Sequence, residues 1–305
     1  MNWQRLPGRV PPLSMVAFGA LSVQVGAALA TKLFASVGPQ GATTLRLFFA
    51  GAAMIAGTLL LRGNKGLPLR LRLRGHFGVI VLFGLDLAAM NLSFYESISR
   101  IPLGVAVTIE FSGPLCLSLV TSRHRRDVAW ACVAGCGVAL LGTGVGSVLN
   151  PAGVAFALLA GAFWAGYILA SQQAGKRFSS LDGLTWALGV AALAIAPFGL
   201  ITRGTALFAP RVLAIGAGVG ALSSIIPYSM DLLTLRRVSP RRFGVMLSLG
   251  PAFAALAGLV VLGQTLSVRE WIALGLVAGA NAGASLSSDS SRSVPVDQVG
   301  KELAA

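Results

Sequence analysis

Long apolar runs alternate with short polar connections along almost the whole chain. The runs fall at about 13–35, 43–61, 77–95, 101–121, 128–147, 152–173, 183–201, 212–235, 243–262 and 267–286. A helix rises 1.5 Å per residue, so roughly 20 apolar residues cross a hydrocarbon core of about 30 Å. The pattern predicts an all-α polytopic membrane protein with ten transmembrane helices. Short connections make neighbouring helices antiparallel and leave no room for a soluble domain. From Ser287 onward the chain reads SSDSSRSVPVDQVGKELAA, a polar, Ser-rich stretch expected to be a disordered tail over 287–305. At the other end, Arg5 and Arg9 precede the first run, and Ala28-Leu29-Ala30 mimics a signal-peptidase site. The run from Pro12 to Phe34 is too long for a signal core, so it reads as an uncleaved first helix.

Composition reinforces the pattern. Hydrophobic residues make up 55% of the chain and charged residues 11%, with mean hydropathy +0.79, whereas soluble domains carry about 25% charged residues. The 38 glycines suit helices that pack through small residues. A net charge of +14 would fit nucleic-acid binding. Here Lys and Arg lie almost wholly in short loops, so no nucleic acid is expected and the charge sets topology instead. With a cytoplasmic N-terminus, 18 of the 24 Lys and Arg fall inside and six outside, which places both termini in the cytoplasm. The histidines, His76 and His124, fall in these basic loops and read as solvated. Cys116, Cys132 and Cys136 lie inside predicted spans and read as buried small apolar residues rather than a metal pair or disulfide.

A weak internal repeat divides the chain. Gly113-Pro114 in the fourth span recurs as Gly250-Pro251 in the ninth, an offset of 137, and Arg100 and Arg237 share that offset. The first and sixth spans carry Gly19-Ala20 and Gly161-Ala162 early in the helix. The expected units are therefore two five-helix repeats, 1–148 and 149–286. Five is odd, so the second repeat enters the membrane inverted. Inverted repeats with helix-breaking residues at matching positions point to a transporter with a central site.

Candidate chemistry centres on Glu110, the one ionisable residue within Ile101–Val120. A carboxylate at this depth costs a few kcal/mol on insertion scales, so it is expected to face a cavity, a partner or a proton path. Proton coupling competes with a structural role in a buried pair. Asp86, midway along the third span, is a second candidate proton site. Asp231, in the eighth span, is a third, unless it reaches the interface or pairs with Arg236 or Arg237. Arg46 suits a substrate carboxylate because its guanidinium binds bidentately; snorkelling to the interface is the alternative. Gln24, Asn91, Tyr95, Trp164, Tyr167, Gln172, Ser223, Ser224, Pro227 and Tyr228 are polar or aromatic positions suited to lining a cavity. Trp164 and Tyr167 stand three apart and are expected on one helix face. No phosphate loop, HExxH or Ser/His/Asp set occurs, and no cofactor, metal or catalytic residue is expected.

The segments SVQVGAALATKLF (22–34), ATTLRLFF (42–49), MNLSFYESI (90–98), IPLGVAVTIEFSGPL (101–115), GAFWAGYILASQQAG (161–175), IIPYSMDLLTL (225–235) and FGVMLSLGPAFAA (243–255) carry a resemblance. The chain resembles EamA-type ten-helix carriers of the drug/metabolite transporter superfamily, and within them the threonine/homoserine exporters of bacterial inner membranes. The resemblance implies proton-coupled export of small amino acids through a central cavity between the halves. It supports Gln24, Arg46, Asn91, Tyr95, Trp164, Tyr167 and Tyr228 as substrate-binding positions, and Glu110 and Asp231 as functional acids. It implies three departures: Gly250 and Gln264 stand where relatives often carry Glu, and Asp86 is additional. The alternatives are the same carrier fold moving a drug, purine or aromatic amino acid, and a membrane enzyme acting on amphiphiles. A homodimer is left open.

Overall fold

The computed structural model describes residues 11–62, 77–121, 125–142, 149–175, 178, 180–227, 230, 234 and 240–287. Tyr228, Asp231, His76, His124 and the tail beyond Ser287 lie outside the described residues. Among the described residues the fold is helical, without strands. In chain order the helices are α1 (Pro12–Thr31), α2 (Phe34–Arg62), α3 (Phe77–Ile98), α4 (Leu103–Glu110), α5 (Ser112–Thr121) and α6 (Arg125–Gly142). They continue with α7 (Pro151–Gly175), α8 (Ser180–Arg203), α9 (Pro210–Gly220), α10 (Pro240–Leu247), α11 (Gly250–Leu262) and α12 (Val268–Ser287). A π-helical turn, Ala221–Ile225, prolongs α9. Among the described residues, six stretches are long and apolar enough to cross a membrane: Pro12–Thr31, Phe34–Leu60, Phe77–Ile98, Pro151–Ala174, Asp182–Phe208 and Val245–Leu262. The other predicted runs correspond to shorter apolar helices at Leu103–Leu117, Val128–Leu141 and Pro210–Ile225 and to the 20-residue α12.

Local chemistry explains the element ends. Pro12 opens α1 at a position whose N–H needs no helical partner, after Pro11 in extended conformation. The second span starts earlier than the expected residue 43. The chain turns at Lys32 and Leu33, re-enters a helical turn at Phe34, and bends at Gly38 (φ 64°, ψ 175°) before Pro39 restarts the helix. Glu270 accepts from the backbone N–H of Ser267 (2.6 Å) and its hydroxyl (2.7 Å), a capping box at the start of α12.

The fourth and ninth spans are both broken. Pro114 has no N–H to offer the carbonyl of Glu110, four residues back, and the helix stops there: Glu110 ends α4, Phe111 interrupts, and α5 begins at Ser112. Pro251 stands in the same relation to the break at 248–249 between α10 and α11. Glycine then permits close approach. A Cβ on Gly161 of α7 would lie 2.7 Å from the Glu110 carbonyl oxygen, and one on Gly113 would overlap the Gly161 backbone.

Helix α3 packs on α7 and α8, and α2 on α8 and α9. Helix α6 packs on α12, and α1 on α11 and the π turn. Helix α4 packs on α7 and α11, and α5 on α7. The outer surface is apolar: Phe18, Leu60, Leu82, Leu193, Ile201 and Val260 are all more than half exposed, as suits lipid contact. The three cysteines are exposed on it as free thiols, not buried as expected. In a membrane protein the outside is as apolar as the core, so an apolar residue type does not reveal its side.

Candidate substrate site

The break after Glu110 sets the site. Arg46, midway along α2, lays its guanidinium over the Tyr95 ring, 5.5 Å from the centroid, a cation–π arrangement. Tyr95 is fully buried at 0% exposure, its ring tilted against those of Phe34 and Phe94 with centroids at 5.8 and 6.0 Å. Its hydroxyl faces Arg46 and Ser223, yet neither reaches hydrogen-bond geometry with it. Arg46 is also the cation whose charge bears on Glu110. Glu96 pairs with the exposed Arg100 at the end of α3, whereas Arg46 and Glu110 form no ion pair. Arg46 is thus near enough to influence Glu110 without forming an ion pair with it.

Aromatic rings close this region beside Glu110. Phe111, in the helix break, meets Trp164 of α7 edge-to-face, centroids 4.8 Å apart at 84°. The same ring covers Gly250 at the start of α11; a Cβ there would lie 2.6 Å from Phe111 Cζ. Arg46 Nε, Tyr95 Oη and Ser223 Oγ are all buried without hydrogen-bond partners, as is Gln24 Oε1 on α1. Such groups carry a desolvation cost that a polar ligand relieves. The unsatisfied atoms are thus a guanidinium N–H, two hydroxyls and an amide oxygen.

Not every expected residue joins this group. Asn91 is buried but donates its side-chain N–H to the Leu87 carbonyl at 2.8 Å, one turn back on its own helix. Trp164 and Tyr167 do not share surroundings: Trp164 packs on Phe111, while Tyr167 packs on Phe83 of α3 at 5.5 Å, in a second apolar cluster. Asp86 belongs to that α3–α7 contact. A Cβ on Gly166 of α7 would stand 2.5 Å from Asp86 Oδ1, while Oδ2 is buried without a partner. Gln172 is exposed.

A family model described as the EamA-like transporter family matches residues 151–286. The threonine/homoserine exporter RhtA of Escherichia coli (strain K12) is 39% identical over 281 residues, covering 90% of this chain and 91% of that protein. The chain belongs to the EamA-like transporter family. RhtA of Salmonella typhimurium (strain LT2) is 38% identical over 278 residues, 90% and 91% of the two chains. An uncharacterized inner membrane transporter of E. coli K12, YedA, is 27% identical over 242 residues, 75% and 76% of the two. A solved crystal structure aligns over 90% of this chain and 96% of its own with a TM-score of 0.62 and 21% identity, a likeness of fold.

Two sequence departures acquire a physical basis in this transporter. The Phe111 ring fills the room that a side chain at 250 would take. Gln264 accepts from the backbone N–H of Leu103 at 3.0 Å, so the second half of the chain caps the first turn of α4. Glu96 is a buried acid that its sequence context does not mark. It is 6% exposed and accepts from Gln40 Nε2 and, at 2.5 Å, from Arg100. Its sequence signature, an acid four residues before an arginine at a helix end, matches an ordinary surface pair.

Proposed function

We propose that this transporter exports threonine, homoserine and similar small amino acids across the bacterial inner membrane in exchange for protons. The observation that carries the reading is the 39% identity to the RhtA exporter across nine-tenths of both chains. The site supports it: Arg46 meets the substrate carboxylate, and Glu110 takes the ammonium or a proton in turn. Tyr95 holds the guanidinium, Trp164 bounds the pocket beside Glu110, and Gln24 offers a buried acceptor. The resemblance adds Tyr228 to this pocket and Asp231 to the proton path, whereas Asn91, Tyr167 and Asp86 stand apart from this group.

Alternating access would come from ten spans arranged as two inverted five-helix units. The helix pairing supports this arrangement. Counting α4–α5, α9 with its π turn, and α10–α11 as single spans, adding five to each span number exchanges the contact α3–α7 with the π turn–α1. It also exchanges α4–α7 with α11–α1, and α3–α8 with α9–α2. The basic residues support cytoplasmic termini.

The test is counterflow of labelled threonine in proteoliposomes, with and without an imposed pH gradient. Gradient-dependent exchange is expected for the native chain. Glu110→Gln is expected to abolish the response to the gradient in a protein that still folds and inserts. An unchanged response in that variant removes Glu110 as the coupling acid, and absence of amino-acid movement in the native chain overturns the export reading.

A further inference from the structure

The π turn Ala221–Ile225 presents a buried hydroxyl, and its setting is built rather than incidental. Ser223 is 3% exposed and its Oγ has no hydrogen-bond partner; the Tyr95 hydroxyl, which faces it, is equally buried and unpartnered. The turn is clamped on both sides. Ser22 of α1 donates to the Leu222 carbonyl at 2.7 Å. Gly26, one turn further along α1, lies so close that a Cβ there would overlap Ser223 Oγ and stand 3.0 Å from Leu222 Cβ. On the other side, a Cβ on Gly220 would lie 2.7 Å from Phe49 Cβ and 3.5 Å from the Arg46 carbonyl. The turn therefore sits between α1 and α2, at the level of the arginine. π turns are rare and concentrate at functional sites because they displace side chains from the regular helical register.

We propose that Ser223, together with Tyr95, recognises the side-chain hydroxyl of the substrate. The inference rests on the export reading and adds to it the basis of selectivity: hydroxylated amino acids are carried in preference to apolar ones of the same size. Arg46 takes the carboxylate, and the two hydroxyls beside it are left to read the side chain. A substrate hydroxyl can donate to one and accept from the other. An apolar analogue leaves both buried and unpaired, and a site built to bond a hydroxyl rejects an analogue lacking it far more strongly than an apolar pocket rejects one that is a methyl too large.

The experiment measures competition against labelled threonine counterflow, using the full chain in proteoliposomes with homoserine, 2-aminobutyrate and valine as competitors. For the native protein, 2-aminobutyrate and valine should compete at least about tenfold more weakly than homoserine, the equivalent of one hydrogen bond. Ser223→Ala should collapse that preference while threonine flux persists. Tyr95→Phe keeps the ring under Arg46 and removes only the hydroxyl, so it should lower the preference in the same direction, and it decides the matter if Ser223→Ala fails to fold. A role confined to helix packing would change flux but not the ratio between competitors. Threonine flux with an unchanged ratio in Tyr95→Phe and in folded Ser223→Ala overturns this inference alone, as does a native protein that does not discriminate. A native protein that carries no hydroxy amino acid overturns the export reading, and the inference with it.

Discussion

Removing the acceptor at Gln264 tests whether the second half of the chain holds the first half's short helix in place. Helix α4 has eight residues, too few to stand alone in water. Its first turn has backbone N–H groups with no helical partner, and that of Leu103, a residue at 0% exposure, is satisfied by Gln264 Oε1 at 3.0 Å. Gln264→Leu keeps much of the bulk and deletes the acceptor, leaving a buried donor unpaired at a cost of about 1–3 kcal/mol. At 1.4 kcal/mol per factor of ten, that is roughly a five- to 150-fold loss in the folding equilibrium. Gln264→Glu retains an acceptor and places a negative charge at a helix N-terminus, where it is favoured, so it should keep most of the native stability. Denaturant unfolding in detergent micelles, followed by tryptophan fluorescence, reads both variants. Equal midpoints for Gln264→Leu and the native protein would refute the capping argument; an equal loss in both variants would show that the shape of the glutamine matters and its oxygen does not.

Two further outcomes are expected. Arg46→Gln should raise the threonine KM in counterflow by about tenfold or more, since a charge-assisted partner is lost; Arg46→Lys should restore only part of it, because an ammonium cannot bind bidentately. Native affinity in Arg46→Gln would remove the arginine from the site. Gly161→Val should destabilise the fold by about 1–3 kcal/mol in the same unfolding assay, because its Cβ would lie 2.7 Å from the Glu110 carbonyl oxygen. A native midpoint would mean that α4 and α7 can separate without loss.

The sequence marked the helices and the two breaks well, because both depend on local rules. Apolar runs bounded by Arg-rich loops locate spans, and Pro114 and Pro251 each remove a backbone donor wherever they occur. The start of α2 was less legible. FASVGPQGA (34–42) reads as a loop by composition, yet Pro39 suits a helix start and Gly38 supplies the bend. Facing was hardest to read. Arg46, Tyr95 and Glu110 were each singled out for polarity inside a span, but their convergence depends on how α2, α3 and α4 are rotated. The same rotations separate Trp164 from Tyr167, which spacing alone would join. Lipid-facing cysteines and buried Glu96 are further cases in which residue type runs against the burial expected of it.

The interruption at Phe111 has a mechanical consequence. A continuous helix across the bundle would behave as one stiff rod, and any tilt at one end would be felt at the other. Division into α4 and α5 makes two short levers, with Glu110 at the joint and its carbonyl opposite a proline that has no N–H to offer. The second break faces this one through the contact of Phe111 with Gly250. Bending can then be concentrated where the carboxylate sits, while each lever keeps its own packing: α4 on α11 and α5 on α7.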